Sequence, residues 1–397
     1  MESTSRAGHE ASAVLVSPDS LAAAFAAVPD PRRQASVTYP VAAILTLAVA
    51  AILSNHTSVL AIAEWGARQS ADLLARLGFP AGRTPCQSTL QRLFAKLDGH
   101  AMAAIVTSHF AGSPPAATPA GVAIDGKALR GRLRYDAGGG PVHALTAFCH
   151  EQGIVLAHEP IEHGADKAEA ELTVAPSLVA RIAWRSRVLT GDALFCQRNL
   201  CQQVIDAGGD YLLLVKENQS RLYSAIQLLF DPPPADAVPL LDRREGGTLE
   251  RGHGRRDDLR QLVASTDLTD YLDWPGLAQV FRLEHTWREH GQTKRHLHYG
   301  ITSLAPDSGP PAQLLRLKRG HWAIENRLHR EKDVVLGEDA SLIHVGQGPT
   351  IMALLREAAL SLLYRRGARR VRARLREYGQ QPEAAVALVV ASPPTRA

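Results

Sequence analysis

The chain has 397 residues, of which 45% are hydrophobic and 21% are charged, and this composition excludes a disordered protein. Lysine and arginine number 44 against 40 aspartate and glutamate, a mildly basic balance of +4 that permits nucleic acid as a partner. Four cysteines, none of them in a Cys-x-x-Cys pair, exclude a disulfide scaffold and favour a reducing cytoplasmic compartment.

The N-terminal part of the sequence predicts an all-helical module over residues 18–112, preceded by a loose arm over residues 1–17 that lacks an export signal. The longest apolar run, Val41–Leu53, follows Tyr39-Pro40, and proline is well tolerated in the first turn of a helix. Because a membrane-spanning helix needs about 20 apolar residues, this shorter run predicts a buried helix and no membrane partner.

A Pro/Ala-rich linker at 113–121 separates this module from a second domain, which we expect at residues 121–364. In its first half, short apolar or β-branched runs alternate with two helical patterns, Lys167–Ile182 and Gln197–Ala207. The predicted strands are Gly121–Asp125, Val142–Cys149, Ile154–Ile161, Val188–Asp192 and Tyr211–Lys216. Strands and helices in this order predict an α/β fold with a mixed sheet.

The second half of this domain differs in pattern. Residues from about 220 to 310 contain a proline-rich break and three predicted strands, Leu259–Thr266, Ala278–Thr286 and Arg295–Leu304, so we expect a β-rich insertion. The chain is helical again from Pro311 to Tyr364. Residues 365–397 are expected to form a C-terminal tail, which is rich in arginine between Arg365 and Arg376.

Three carboxylates are candidates for chemistry. Asp125 and Asp192 each end a predicted strand, where α/β folds place ligand chemistry, although an aspartate there is also a common turn former or helix cap. Glu325 lies four residues from both His321 and His329 on one predicted helical face. This face is either part of a functional site or an ordinary solvent-exposed surface. Such a trio can hold two divalent ions about 4 Å apart, which clamp the attacking and leaving oxygens in phosphoryl transfer. Mg²⁺ suits this chemistry because it prefers carboxylates and substrate phosphates.

Several sequence strings occur in a fixed order along the chain. They are Asp30-Pro-Arg32, Tyr39-Pro-Val-Ala-Ala-Ile44, Ala61-Ile-Ala-Glu-Trp65, Ile124-Asp-Gly-Lys-Ala-Leu-Arg-Gly131, Thr190-Gly-Asp-Ala-Leu194, Gly208-Gly-Asp-Tyr-Leu-Leu213, His253-Gly-Arg255, Arg319-Gly-His-Trp-Ala-Ile-Glu-Asn326 and Gly337-Glu-Asp-Ala-Ser341. Together they closely resemble bacterial insertion-sequence DDE transposases, in the ISAs-type branch of the IS-four-like group. The resemblance covers roughly residues 21–365.

The resemblance implies a ribonuclease-H-like fold whose β-rich insertion precedes the last catalytic helix. It places the family's acidic triad on Asp125, Asp192 and Glu325, as ligands of two Mg²⁺ ions for which Mn²⁺ can substitute. Lys332 fits the lysine of the family's helix signature and is expected to neutralise charge near the transferred phosphate. His321 stands where that signature has arginine, and Lys318 stands where it has tyrosine. No acidic position is lost, so the resemblance implies an intact enzyme.

The implied activity is a transposase that hydrolyses phosphodiester bonds at the ends of an insertion sequence and joins the freed 3′-hydroxyl to target DNA. The implied partners are double-stranded DNA, both the terminal inverted repeats and the target, and a second copy of the chain in a homodimer. The implied location is the bacterial cytoplasm, in association with the nucleoid. Two rival functions use the same residues: a ribonuclease-H-like nuclease without strand transfer, and a non-enzymatic DNA-binding protein derived from a transposase.

Basic and aromatic side chains near these motifs are candidate DNA contacts. They are Lys127, Arg130, Arg132, Lys216, His253, Arg255, Arg256, His321 and Trp322. Cationic groups hold phosphates, and an aromatic ring stacks on an unpaired base. A solvated loop is the alternative interpretation for the basic residues, and a place in the core is the alternative for Trp322.

Two other site types fit the sequence poorly. Gly121–Ala128 nearly matches a phosphate-binding loop, but it ends in alanine, which has no hydroxyl for Mg²⁺, and this disfavours a nucleotide hydrolase. His321, Glu325 and His329 are possible zinc ligands, but the metalloprotease string is absent and arginine and lysine crowd the same helix.

Overall fold

The computed structural model describes residues 16–111, 119–129, 142–161, 167–231, 242–252, 255–290 and 292–391. The chain divides into two compact units. Unit 1 comprises residues up to His109, together with Val345–Leu362 and the residues from Arg370 onward; unit 2 comprises Phe110–His344 and Leu363–Arg369. Among the described residues, no helix combines the length and apolar character needed to span a bilayer.

The described part of unit 1 contains helices and no strand. Its N-terminal helices are α1 (Leu21–Ala24), α2 (Val41–Leu53), α3 (Val59–Ala67), α4 (Ala71–Arg76), α5 (Gln87–Phe94) and most of α6 (Gly99–Ala111). The hydroxyls of Ser20, Ser58 and Ser70 accept backbone hydrogen bonds at the starts of α1, α3 and α4, and so satisfy amide groups that a helix leaves unpaired. Every residue of α2 except Ala42 is buried, so the predicted buried helix is confirmed with the same bounds.

The C-terminal helices complete unit 1. They are α11 (Gly348–Arg365, up to Leu362), α12 (Val371–Gln380) and α13 (Pro382–Val390), and both α12 and α13 pack on α2. Val371 and Leu375 of α12 are buried, whereas the arginines between them are exposed. The sequence analysis expected a separate C-terminal tail from residue 365 onward. The larger apolar side chains of α12 and α13, among them Val371, Leu375 and Val386, are instead buried, and both helices group with unit 1.

The described residues of unit 2 form a nine-stranded sheet in the order β3-β2-β1-β4-β5-β9-β8-β7-β6. Its first strands are β1 (Ala120–Leu129), β2 (Val142–Cys149), β3 (Ile154–Ile161), β4 (Arg187–Gly191) and β5 (Asp210–Val215). β1, β2 and β3 are antiparallel, whereas β4 runs parallel to β1 and β5 parallel to β4. The five predicted strands are therefore present, as are the two helices α7 (Lys167–Ala180) and α8 (Arg198–Asp206). The predicted end of the first strand at Asp125 is wrong, because β1 continues to Leu129 against β2.

The expected β-rich insertion extends this sheet. After α9 (Ser220–Phe230), the strands β6 (Arg244–Gly252), β7 (Arg255–Ser265), β8 (Gln279–Glu289) and β9 (Gln292–Thr302) form an antiparallel ladder, and β9 pairs with β5. Sequence patterning predicted three of these strands and missed β6. The reason is that Gly246 and Gly247 interrupt its alternation of side chains, and glycine has a low strand propensity.

The helical segment after the insertion is not regular. α10 (Pro311–Gly320) packs on the sheet, and its residues Leu314 and Leu317 share a core with Val188 and Phe281. Two π-helical segments follow, Ile324–His329 and Glu331–Val335. Short π-helical turns are rare in proteins and frequent at functional sites.

Candidate active site

Asp125 lies where β1 separates from β4. The last parallel pair of the two strands is Ala123 opposite Thr190. If that register is continued by two residues, Asp125 falls opposite Asp192, which follows directly after β4. Beyond this point β1 continues against β2 alone. The crevice outside the carboxyl ends of parallel strands is the usual ligand site of α/β sheets.

Asp125, Glu325 and His329 form a cluster at this crevice. The Nδ1 atom of His329 lies 3.1 Å from Oε2 of Glu325 and 3.5 Å from Oδ2 of Asp125. One ligand atom from each residue lies within 4.8 Å of the other two. Asp125 comes from β1 and the other two residues come from the first π-helical segment. This set of two carboxylates and an imidazole suits a divalent cation.

The protonation of Glu325 is set by this cluster. The hydrogen bond with His329 is the main reason that the pKa of Glu325 lies below its ordinary value; burial opposes this shift, and the ammonium group of Lys127 contributes to it. A lowered pKa keeps the carboxylate ionised at neutral pH, which is the form that binds a cation.

Asp192 follows β4, the strand that pairs with the one carrying Asp125, but it is not one of the three members of the cluster. Its Oδ1 accepts a hydrogen bond from the backbone N–H of Leu194, so it caps a short 3₁₀ turn. Burial lowers the pKa of Lys318 on α10, and the negative charge of Asp192 opposes that shift. Asp192 thus acts as a cap, as the alternative interpretation held, and its exposed side chain also faces a cation.

Lys127 and Lys332 converge on one buried carboxylate, that of Glu338. The ammonium of Lys332 lies 3.3 Å from Oε1 of Glu338, and the ammonium of Lys127 lies 3.6 Å from the same atom. Lys127 also forms an ion pair with Asp333. Because Lys127 is on β1 and Lys332 is on the second π-helical segment, these pairs join the strand that carries Asp125 to the segment that follows the one carrying Glu325. The expected phosphate contacts of both lysines remain predictions.

His321 is not a member of this cluster and contacts β4. Its Nδ1 is 3.3 Å from the hydroxyl of Thr190, and the same hydroxyl is 3.0 Å from Nε2 of His150. Burial is the main cause that lowers the pKa of His321 to about 3, so its ring is neutral at pH 7. The zinc site that the sequence analysis disfavoured is not assembled among the described residues. A DNA contact by His321 remains a prediction, and its neutral ring has no charge to offer a phosphate.

The remaining candidate DNA contacts divide into two groups. Trp322 is 60% exposed, so it is not a core residue, and Lys216 is exposed at the end of β5. Arg130, Arg132 and His253 lie outside the described residues, as do the side chains of Arg255 and Arg256 on β7. The DNA contacts of all these residues stay predictions.

Two residues of this site were not predicted from the sequence. His329 was considered only as a zinc ligand, although its spacing of four from Glu325 is a signal for a hydrogen bond on one helical face. Glu338 was part of a family string, but no local pattern indicates that its carboxylate is buried between two lysines.

The fold and this cluster define an α/β protein with a candidate divalent-metal site at the strand ends of a mixed sheet. Residues 117–362 match the family model described as the transposase DDE domain, and residues 22–110 match the DDE_Tnp_1-associated model. The chain therefore belongs to the DDE transposase family. Membership implies the use of divalent metal ions, and the donor set at Asp125, Glu325 and His329 fits such an ion.

The relatives agree with this family. A putative transposase, YncI, from Escherichia coli O157:H7 is 28% identical over 346 residues, which are 85% of either chain. The H repeat-associated putative transposase YhhI from Escherichia coli K12 is 25% identical over 85% of this chain and 88% of its own. A solved piggyBac transposase synaptic complex with hairpin DNA covers 95% of this chain and 80% of that chain, at 10% identity and a TM-score of 0.40. At that score the likeness does not assign the fold.

Proposed function

We propose that this protein is the transposase of an insertion sequence, in the ISAs-type branch of the IS-four-like group, with a ribonuclease-H-like catalytic domain. The order β3-β2-β1-β4-β5, with three antiparallel strands followed by two parallel ones, supports this fold. The observation that carries the proposal is the meeting of Asp125 and Glu325, which are far apart in sequence, next to the strand end that bears Asp192.

Asp125, Asp192 and Glu325 would hold the divalent metal, Mg²⁺ or its substitute Mn²⁺. Bound there, the metal supplies charge stabilisation for the attacking and leaving oxygens of a phosphodiester. The role of the chain is to keep these carboxylates ionised and oriented before DNA arrives. His329 holds Glu325 by a hydrogen bond, and the pairs of Lys127 and Lys332 fix β1 against the second π-helical segment. Rigid placement of this kind is what a reaction based on positioning requires.

The DNA-binding role is supported by exposed cations in both units. In unit 2 these include Lys216, close to the strand ends that carry the carboxylates. In unit 1 they include Arg370, Arg372 and Arg376 on and beside α12. Contacts of such side chains with phosphates give affinity without sequence specificity. The partners are the element's terminal inverted repeats and target DNA, and two ends must be held together, which requires a homodimer on DNA.

A cleavage and joining assay tests the proposal. Purified protein is incubated with element-end DNA, intact or pre-cleaved, and a target plasmid, with Mg²⁺ or with a chelator. We expect cleavage and joined products only with the metal. Asp125→Asn, Asp192→Asn and Glu325→Gln should each reduce both reactions to background while end-DNA binding persists, because each substitution removes a metal-binding charge.

The matched control is Glu217→Gln, which removes an exposed carboxylate of unit 2 and should leave cleavage unchanged. Cleavage without joined products would favour the nuclease without strand transfer. DNA binding without cleavage by the wild-type protein would favour the non-enzymatic DNA-binding protein. Full activity of any one of the three variants would remove that residue from the site.

A further inference from the structure

We propose that His329 is a positioning residue: its Nδ1–H donates a hydrogen bond to Glu325, and the ring stays outside the coordination shell of the metal. This inference rests on the proposed function, because it assigns a role at the same metal site. It differs from the simplest interpretation of the cluster, in which the imidazole is a third ligand beside the two carboxylates.

The first argument is the geometry at Nδ1. This atom lies 3.1 Å from Oε2 of Glu325, which is within hydrogen-bond range. Oδ2 of Asp125, at 3.5 Å, is too far for a good hydrogen bond but close enough for electrostatic attraction. One N–H group therefore faces both carboxylates and donates its hydrogen bond to Glu325, the more exposed of the two.

The second argument is the other ring nitrogen. His329 is 5% exposed, and its Nε2 is buried with no hydrogen-bond partner among the described residues. A histidine that binds a metal through Nδ1 carries its hydrogen on Nε2 and normally donates it to a carboxylate, a carbonyl or water. Here that hydrogen would be a buried donor without an acceptor among the described residues, whereas a hydrogen on Nδ1 has the carboxylate of Glu325 as its acceptor. The hydrogen is therefore on Nδ1, which cannot then ligate a metal.

The third argument concerns the conformational freedom that the Glu325 side chain has without this hydrogen bond. The Glu325 side chain is 51% exposed, whereas the His329 side chain is 6% exposed and fixed in the interior. A half-exposed glutamate has several accessible rotamers, and ordering it costs conformational entropy each time a cation binds. The hydrogen bond from the buried ring of His329 orders Glu325 before the cation binds, and so reduces the entropy lost on binding. Outer-shell partners of metal ligands commonly orient their ligands in this way.

Three substitutions separate a donor from a ligand. Asparagine places its amide N–H close to the position of Nδ1 and keeps the donor, glutamine carries its amide one bond further out, and leucine removes the donor while keeping an apolar side chain. The full-length protein is titrated with Mn²⁺ alone, and free Mn²⁺ is followed by electron paramagnetic resonance. We expect His329→Leu and His329→Gln to weaken Mn²⁺ binding by about tenfold or more, and His329→Asn to bind close to wild type.

A spectroscopic measurement needs no variant. Pulsed electron paramagnetic resonance of Mn²⁺ on the wild-type protein detects the ¹⁴N nucleus of a coordinated imidazole. We expect no such coupling. A histidine ¹⁴N coupling would overturn the inference, and so would Mn²⁺ binding by His329→Leu equal to that of wild type. Weak binding by a folded His329→Asn variant, equal to that of His329→Leu, would overturn it as well.

The outcomes also separate this inference from the proposed function. If the wild-type protein bound no Mn²⁺, the metal site itself would be overturned and the role of His329 with it. If the wild-type protein bound Mn²⁺ through a coordinated imidazole, only the inference would fail. Should His329→Leu fail to fold, as judged by circular dichroism, the comparison of His329→Asn with His329→Gln decides, since both keep a polar amide.

Discussion

At the scale of single residues, the buried carboxylate of Glu338 is a point where a small change has a large expected effect. Glu338 and Lys332 are each 3% exposed, and Lys127 approaches the same oxygen. Glu338→Gln removes the negative charge that faces two ammonium groups, and loss of one partner of a buried ion pair costs about 3–5 kcal/mol. We expect the free energy of unfolding to fall by that amount, measured by urea titration with circular dichroism.

The matched control for this prediction is Glu377→Gln. Glu377 pairs with Arg374 on the surface of α12, where both side chains are about half exposed. Exposed pairs contribute little because water and salt screen them, so this substitution should not shift the urea transition measurably. Equal effects of the two substitutions would contradict a special role for the buried pair.

Much of the candidate site could be predicted from sequence at this scale. Asp125 was recognisable because it ends an apolar run in the sequence, a position typical of a ligand site, although β1 itself continues to Leu129. The burial of Glu338 could not be predicted, because it depends on two lysines that meet only in the folded chain. The neutral state of His321 could not be predicted for the same reason, because it results from burial against β4 in the folded chain.

At the scale of elements, the junction of α10 with β1 and β4 should make the protein sensitive to acid. His150 and His321 share the hydroxyl of Thr190, and burial is the main cause that lowers the pKa of each to about 3. In the unfolded chain their pKa is near 6.5, so the unfolded state binds more protons below that pH. The free energy of unfolding should therefore fall as the pH drops from about 6.5 towards 3, by up to about 1.4 kcal/mol per pH unit for each histidine.

Denaturant titrations at several pH values test this dependence. His321→Gln should flatten the slope, because one of the two groups no longer takes up a proton on unfolding. His344→Gln is the control, since its side chain is exposed and its loss should leave the slope unchanged. A pH slope in His321→Gln as steep as that of wild type would show that this ring does not contribute.

Regular elements were predictable because their patterns are local. The bounds of α2 and of β2 agree with the sequence prediction, since continuous apolar runs between polar or turn residues mark a buried element. The π-helical segments were not predictable, because the sequence at Ile324–His329 fits an ordinary helix and its wider turns are adopted in contact with β1. β6 was not predicted because Gly246 and Gly247 interrupt the alternation of side chains that marks a strand.

At the scale of the whole molecule, unit 1 depends on helices from both ends of the sequence. Val386 of α13 is fully buried, and α13 packs on α2. Val386→Asp places a carboxylate in this core, and a buried unpaired charge costs several kcal/mol. We expect rapid proteolysis within residues 18–109 in this variant, mapped by mass spectrometry. Glu383→Ala, an exposed change on the same helix, should leave the digestion pattern as in wild type.

This arrangement has a consequence for synthesis on the ribosome. α2 is translated early, but α12 and α13, which cover it, are translated only after the whole of unit 2. During most of translation the growing polypeptide therefore exposes the part of this apolar helix on which α12 and α13 later pack. Exposed apolar surface of this kind is what chaperones bind. A message cut short before these last helices would yield a product with an incomplete N-terminal unit, however well its sheet had formed.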